Sequence, residues 1–579
     1  MHEFRVWAPQ PQRVDLVIGD YRTPMAAGNG GWWSVSVDEA GPGTRYGFSL
    51  DGGPPRPDPR SASQPDGVHG RSEVVDHAAF PWADDRWRGL PLAGAVLYEL
   101  HIGTFTAEGT FDAAIERLPH LVDLGVDAIE ILPPVEFSGS RGWGYDGVDL
   151  YAPHHAYGGP DGMKRLVDAC HQAGLGVIVD VVYNHLGPSG NYLPAYGPYF
   201  SDRHITNWGE AVNVDGPGSD EVRAFIIDNA VMWLRDYHCD GLRLDAVHAI
   251  VDESATHLLE ELAVEVEVLA AQVRRPLFLI AESDLNDPRF VRPREAGGLG
   301  LDSAWADEWH HALHAALAGE TTGYYEDFGP LDALAKALRQ AWVYDGTWSP
   351  HRGRHHGRPP TGLAGRRFVV CTQNHDQIGN RAVGDRTAAL MSPGRLRVAA
   401  GLLLTSPFVP ILFQGEEWGA STPFQYFTDH EDPELGRAVS EGRRNEFSSF
   451  GWDPADVPDP QDRATFERSR LDWDELDQPD HAGLLAWYRQ LLALRRRLPD
   501  LGDDRPGGAD ARADEAAGTL VVRRGRVTVA ANVGDGPRRV ALEGPHRVEA
   551  ASHPDIDIDI DGDAVLVPAD TLAVLLGEA

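Results

Sequence analysis

Between about residues 95 and 500, short apolar segments alternate with longer segments whose apolar residues recur at helical spacing. This alternation constrains the chain most, because it calls for a mainly parallel sheet covered by helices. Eight strands are predicted: Val96–Ile102, Ala128–Leu132, Val177–Val182, Gly241–His248, Leu277–Ala281, 300–306, Phe368–Thr372 and Val409–Phe413. The third is almost wholly apolar, as a parallel strand buried on both faces should be. Helices are predicted over 111–124, 163–173, 252–272, 395–404 and 482–498, and from about Leu331. A further helix runs to about Tyr237, with Ser219 as its expected N-cap and Asp220 and Glu221 in its first turn. Eight strands interleaved with helices predict an α/β fold, a (β/α)8 TIM barrel, over an open doubly wound sheet. No G-x-G-x-x-G follows the first strand, which argues against a dinucleotide fold.

The flanks read differently. Residues 1–90 carry short alternating segments such as Phe4–Trp7, Val14–Ile18, Trp32–Val37 and Tyr46–Leu50, separated by Gly, Pro and Asp turns. They predict an N-terminal β-sandwich, with 53–70 as an ordered loop or linker. Short strands return at Thr519–Arg523 and Val527–Ala531, so 505–579 is expected to be a C-terminal β-sandwich domain. The barrel then occupies 91–504, with a long insertion at about 186–218 of the kind that shapes a barrel's top face. The alternating run Asp555–Gly562 reads as an exposed strand with one acidic face, in preference to a calcium site.

Composition removes some function classes. The formal net charge of −37 argues against nucleic acid or an anionic membrane as partner. Cys170, Cys239 and Cys371 are odd in number and far apart, so neither a disulfide framework nor a metal site follows. The start lacks a signal-peptide pattern and no apolar run is long enough to span a bilayer. A cytoplasmic protein is expected; its oligomeric state is not legible.

Catalytic groups of a barrel project from the C-terminal ends of several strands. Four ends here carry polar clusters: Asp180-Val-Val-Tyr-Asn-His185, Gly241-Leu-Arg-Leu-Asp-Ala-Val-His248, Ile280-Ala-Glu-Ser283 and Gln373-Asn-His-Asp-Gln377. In the second, Arg243 and Asp245 share one strand face, where paired charge is costly unless used. Three carboxylates, two histidines and an arginine, with no metal spacing and no Ser or Cys nucleophile motif, suit glycoside hydrolysis. An arginine beside Asp245 favours its charged form, and a proton-donating Glu282 requires a drier or more negative site.

These four segments, in this order, resemble the signature regions of the α-amylase clan, glycoside hydrolase family 13. The resemblance implies Asp245 as nucleophile, Glu282 as acid/base and Asp376 as the third carboxylate. It implies that Arg243 orients Asp245, that His185 and His375 bond sugar hydroxyls, and that Tyr145 stacks under the sugar. His248 joins this substrate-binding set, and Asp180 and Asn184 are expected as supports. Among loop aromatics, Trp143, Tyr157, Tyr192, Tyr196, Tyr199 and Trp208 suit sugar faces.

Other stretches, including Tyr98–Thr106, His185–Tyr192, Ala281–Pro288, Trp305–His314 and Phe413–Phe427, are similar to one branch of that family, the maltooligosyltrehalose trehalohydrolases. The likeness implies hydrolysis of the α-1,4 bond next to the terminal trehalose of maltooligosyl trehalose, with no cofactor and no amylase-type calcium. It also implies an N-terminal sandwich of the family 48 carbohydrate-binding type. Asp307 and Glu417, within two of these stretches, are candidates for seating trehalose. His310, His311 and His314 read as metal ligands or as packing. The nearest rival is a glycogen branching enzyme, which passes the glycosyl group to a sugar hydroxyl. An inactive glycosidase-like binding protein would lack one of the three carboxylates, and all three are present.

Overall fold

A computed structural model describes residues 1–448, 456–553, 560–561 and 563–578. Eight parallel strands close into a barrel in chain order. They are β1 (Leu97–Leu100), β2 (Ala128–Ile131), β3 (Gly176–Val181), β4 (Gly241–Leu244), β5 (Phe278–Ala281), β6 (Ser303–Trp305), β7 (Phe368–Cys371) and β8 (Val409–Phe413). Alternation along each strand sorts the side chains. Tyr98, Ile129, Val177, Val179, Leu242, Leu244 and Leu279 pack outward in the large core shared with the helices. Leu97, Ala128, Ile178, Phe278, Ile280, Val369 and Ile411 form a second, separate apolar cluster inside the barrel.

The inward column of each strand changes character as it rises. Leu97 is followed by Glu99, Ala128 by Glu130, Ile178 by Asp180, and Ile280 by Glu282. On β4 the same face carries Gly241, Arg243 and Asp245. Gly241 is required at the base, because a Cβ there would lie 2.3 Å from the Phe278 ring. The barrel is therefore plugged by apolar side chains below and lined by charge above.

The flanking β-structure comprises four sheets. Near the N-terminus, a three-stranded sheet contains His2–Trp7, Ala26–Ala27 and Trp32–Val37, and a five-stranded sheet contains Val14–Ile18 and Arg45–Leu50. Near the C-terminus, Asp510–Asp514, Thr519–Arg524, Val527–Asn532, His546–Ala551 and Thr571–Gly577 form one sheet, and three short strands form another. Arg524 fixes the first of these to the barrel's underside. It is 1% exposed, and its Nη1 donates to the carbonyls of Thr405, Ser406 and Leu501 at 2.8–2.9 Å. Arg495 donates to the Leu404, Ser406 and Phe408 carbonyls, so two buried guanidiniums share the oxygen of Ser406.

Some local expectations are corrected. The first strand stops at Leu100, and Ile102–Phe105 forms a single helical turn. Ser219 is the first helical residue and not the cap: Gly218, with φ 82°, holds the left-handed cap position that a side chain would strain. The 252–272 helix begins only at Leu258, where the His257 ring accepts the Leu259 N–H. The segment 53–70 is an ordered loop, with Asp58, Ser61, Ser63 and Gln64 buried and the Tyr46 hydroxyl donating to Asp58 at 2.8 Å. The insertion after β3 contains a hairpin, Phe200–Thr206 with Gly209–Val212, that carries Trp208. Most of Asp555–Gly562 lies outside the described residues. Among the described residues, no helix is long and apolar enough to cross a membrane.

Arg524→Met should leave three buried carbonyls without this donor and destabilise the protein by about 2–4 kcal/mol in urea denaturation. An unchanged midpoint would show that water replaces the guanidinium freely.

Candidate active site

The ladder continues one residue past β4 and β5: Asp245 N–H donates to Val181 O and Glu282 N–H to Leu244 O, both at 3.0 Å. This lifts the two carboxylates side by side onto the rim. The next residue, Ala246, has φ 38° and ψ 50°, a left-handed conformation that a non-glycine residue adopts at a cost. Its N–H, turned by that conformation, donates to Glu282 Oε2 at 2.6 Å. Backbone strain next to Asp245 thus ties the two acids together.

Arg243 is the hub beneath them. Its Nη1 donates to both Asp180 oxygens at 2.9 Å and to Asp245 Oδ1 at 2.7 Å, and its Nη2 lies 3.7 Å from Glu282 Oε2. The guanidinium is 4.4 Å from the centre of the Trp305 ring, and the side chain is 1% exposed. The other oxygen of Asp245 accepts from Asn184 Nδ2 at 2.8 Å. Asn184, expected only as a support, therefore contacts Asp245 directly.

The electrostatics separate the carboxyls. Burial raises Glu282; Arg243 opposes this, and the charges on Asp245, Asp307 and Asp376 add to it, bringing the pKa to about 8. Glu282 is therefore protonated at neutral pH, and both contacts from Ala246 and Arg243 fall on Oε2, leaving Oε1 to carry the proton. Asp307 is pushed up to about 7 by burial and then by Asp376, against the pull of Arg243. Asp180 is raised to about 6 by burial, with Arg243 opposing and Asp245 adding.

A cleft of about 390 Å³ opens above these groups. Its walls include Tyr145, His185, Asp245, His248, Glu282, His375 and Asp376, which come from the ends of β2, β3, β4, β5 and β7. Tyr145 stacks on His375 with ring centres 5.2 Å apart and donates its hydroxyl to Asp180 at 2.6 Å. His185 stacks flat against Trp208 at 4.8 Å, and its ring nitrogens meet Asn184 Oδ1 at 2.5 Å and the Tyr145 carbonyl at 3.0 Å. Asp376 Oδ1 accepts from Asn380 at 2.6 Å. Asp307, at the start of the helix after β6, lies close enough to Asp376 and Arg243 to feel both charges. A larger cavity of about 620 Å³ lies where the N-terminal sheets meet the barrel. It has none of these strand-end groups, so chemistry and not volume identifies the site.

Glu417 does not belong to the cleft. It is fully buried, accepts from the Tyr98 hydroxyl at 3.1 Å and meets His120 at 2.8 Å, so its place beneath the loop 413–427 is structural. Of the loop aromatics, Trp143 and Trp208 line the cleft, while Tyr157, Tyr196 and Tyr199 are buried packing residues. Tyr192 instead meets His69 at 2.7 Å. His310 meets the Thr372 carbonyl and the Tyr325 hydroxyl, and His314 meets Glu320, so both are held by the protein behind β6. Asn380, Tyr426 and Arg443 line the cleft without a sequence signal that set them apart.

Among the described residues, two groups could hold a metal ion: Glu136 with His154 and His155, and His204 with Asp215 and Glu253. In the first, His154 Nδ1 accepts the Ala156 N–H, so its Nε2 carries a proton and offers no lone pair. Neither group lines the cleft.

A closed barrel with paired carboxylates on a buried arginine, opening on an aromatic-walled cleft, defines the class of α-amylase-type glycoside hydrolases. The family model for the alpha amylase catalytic domain matches residues 62–196. A malto-oligosyltrehalose trehalohydrolase from Arthrobacter ramosus is 57% identical over 92% of this chain and 93% of its own length. One from Rhizobium sp. (strain M-11) is 52% identical over 99% of this chain and 97% of its own. The chain belongs to the malto-oligosyltrehalose trehalohydrolase family. A crystal structure from Salmonella typhimurium superposes with a TM-score of 0.90 at 39% identity, covering 99% of this chain and 97% of that one. A 1,4-alpha-glucan branching enzyme from Rubrobacter xylanophilus is more distant, at 30% identity over 72% of this chain and 60% of its own.

Because the proton on Glu282 is lost as pH rises through its pKa, kcat/KM should fall along a basic limb near pH 8. A limb below about pH 6.5 in a steady-state profile would contradict the protonated state assigned to Glu282.

Proposed function

We propose that the chain hydrolyses the α-1,4 bond next to the terminal trehalose of a maltooligosyl trehalose by a retaining double displacement. The observation that carries this reading is the unequal treatment of two adjacent carboxyls. Asp245 is held between two donors, Arg243 and Asn184, whereas Glu282 is driven to the protonated form. A nucleophile needs the first environment and a proton donor the second.

In the first step a carboxylate oxygen of Asp245 attacks the anomeric carbon, the bond to the trehalose oxygen breaks, and that oxygen takes the proton of Glu282. Trehalose leaves, and a glycosyl ester on Asp245 remains. In the second step water attacks the same carbon and gives its proton to Glu282. The ester bond breaks, releasing the maltooligosaccharide and restoring both acids. Asp376 borders the same cleft, held by Asn380, and is assigned to stabilise positive charge developing on the sugar ring. Tyr145 offers its ring to the sugar, and His375, His185 and His248 border the same space. Asp307, beside Asp376, is assigned to the trehalose side. The working division of the chain is a sandwich over 1–90, the catalytic barrel over 91–504 and a β-domain over 505–579.

The reading is tested by incubating the protein with maltotriosyl trehalose and, separately, with amylose. Free trehalose from the first is expected; new α-1,6 branches in the second would favour the branching reading. Asp245→Asn should lower kcat by at least about 10⁴-fold with little change in substrate affinity by calorimetry. Near-normal turnover would remove Asp245 from the nucleophile role.

A further inference from the structure

Glu99 of β1 lies inside the barrel, 1% exposed, and both its oxygens are taken by one residue. Oε1 meets His375 Nδ1 at 2.5 Å, and Oε2 accepts the His375 backbone N–H at 2.9 Å. The far nitrogen of that ring, Nε2, lies 2.8 Å from the Tyr145 hydroxyl, and the same hydroxyl lies 2.6 Å from Asp180 Oδ2. Asp180 in turn holds Arg243, which holds Asp245. An unbroken chain of contacts therefore joins the first strand to the residue assigned as nucleophile.

The direction of the protons along it is fixed by counting. Asp180 accepts two contacts from Arg243 Nη1, so the single hydroxyl proton of Tyr145 points to Asp180. The Tyr145 oxygen must then accept from His375 Nε2, while Nδ1 donates to Glu99. His375 thus donates from both nitrogens, which only the imidazolium can do. We propose that Glu99 is a positioning residue that holds His375 as the imidazolium, and through it fixes the Tyr145 hydroxyl on Asp180 and the Arg243–Asp245 clamp.

The surroundings agree with this. Burial pushes His375 down, but the charge and hydrogen bond of Glu99 outweigh it, with Asp376 adding and Arg243 opposing, so the ring titrates above its ordinary range. The other groups facing this ring from neighbouring elements are His101 after β1, Tyr145 after β2, Asp180 on β3 and Asp307 after β6. Glu130, next to Glu99 across the β1–β2 pair, has both side-chain oxygens unpartnered and is pushed well up by burial, then by Glu99 and Asp180. Its shift favours the neutral form, and the partner of the His375 ring on this side of the barrel is Glu99.

The proposal rests on the glycosidase reading of this cleft, and its test separates the two. Wild type and Glu99→Gln are assayed on maltotriosyl trehalose from pH 5 to 9, with thermal melts as a folding control. An amide cannot hold the imidazolium, so His375 should lose its proton at lower pH. The basic limb of kcat/KM should move to lower pH by about one unit, so activity at pH 7.5 should fall about threefold and recover partly near pH 5.5. If Glu99→Gln does not fold, the limb is read in Glu99→Asp, which keeps the charge but is one methylene short; a smaller shift in the same direction is expected. An unchanged limb in a folded variant, with or without a uniform loss of rate, would overturn the proposal. No trehalose from wild type at any pH would instead overturn the reading of the cleft.

Discussion

A single buried cation organises the catalytic end of this barrel. Arg243 is 1% exposed, yet its guanidinium meets Asp180, Asp245 and the face of Trp305 at once. Each carboxylate alone would be expensive to bury, and so would the guanidinium. Together they form a network in which the charges are compensated, and the network can exist only because β3 and β4 are neighbours in register, with Asp180 opposite Arg243. The closed sheet thus sets up the electrostatics before any loop contributes. Loops then supply the walls: Tyr145 from the end of β2, Trp208 from the hairpin after β3 and His375 from the end of β7.

The same cation explains why adjacent acids behave differently. Asp245 receives a donor on each oxygen, from Arg243 and from Asn184. Glu282 is farther from the guanidinium, at 3.7 Å, and is surrounded by the negative groups Asp245, Asp307 and Asp376. Burial, helped by these neighbours, outweighs the opposing pull of Arg243, and Glu282 keeps its proton. The strained Ala246 backbone is part of this separation, because its N–H occupies Glu282 Oε2 and leaves Oε1 for the proton. One cation and one unusual φ angle thus give the two acids different surroundings: donors on both oxygens of Asp245, and a drier, more negative site for Glu282.

Much of this was legible in the sequence because it rests on short-range pattern. The eight apolar segments announce the barrel, and the inward residues two apart on β4 place Arg243 and Asp245 on one face. Where expectation failed, tertiary geometry had decided. Glu417 sits in a stretch that resembles a substrate loop, but its side chain turns beneath the loop to Tyr98 and His120. Ser219 has the composition of a cap, yet the preceding Gly218 takes the left-handed position. Tyr157, Tyr196 and Tyr199 could not be told from sugar platforms, since a loop aromatic serves either purpose and only its burial distinguishes them. Glu99 did carry a signal, a charge within an apolar strand, but its partner His375 lies 276 residues away and closes the contact only when the barrel does.

If Arg243 holds Asp245 as a nucleophile, the glycosyl group passes through a covalent ester and its anomeric configuration is inverted twice. The most direct measurement is proton NMR of the new reducing end during the first minutes of maltotriosyl trehalose hydrolysis, before mutarotation. The expected result is the α-anomer appearing first and relaxing toward the equilibrium mixture. Initial accumulation of the β-anomer would mean a single displacement by water, and would contradict the role of the Arg243–Asp245 pair.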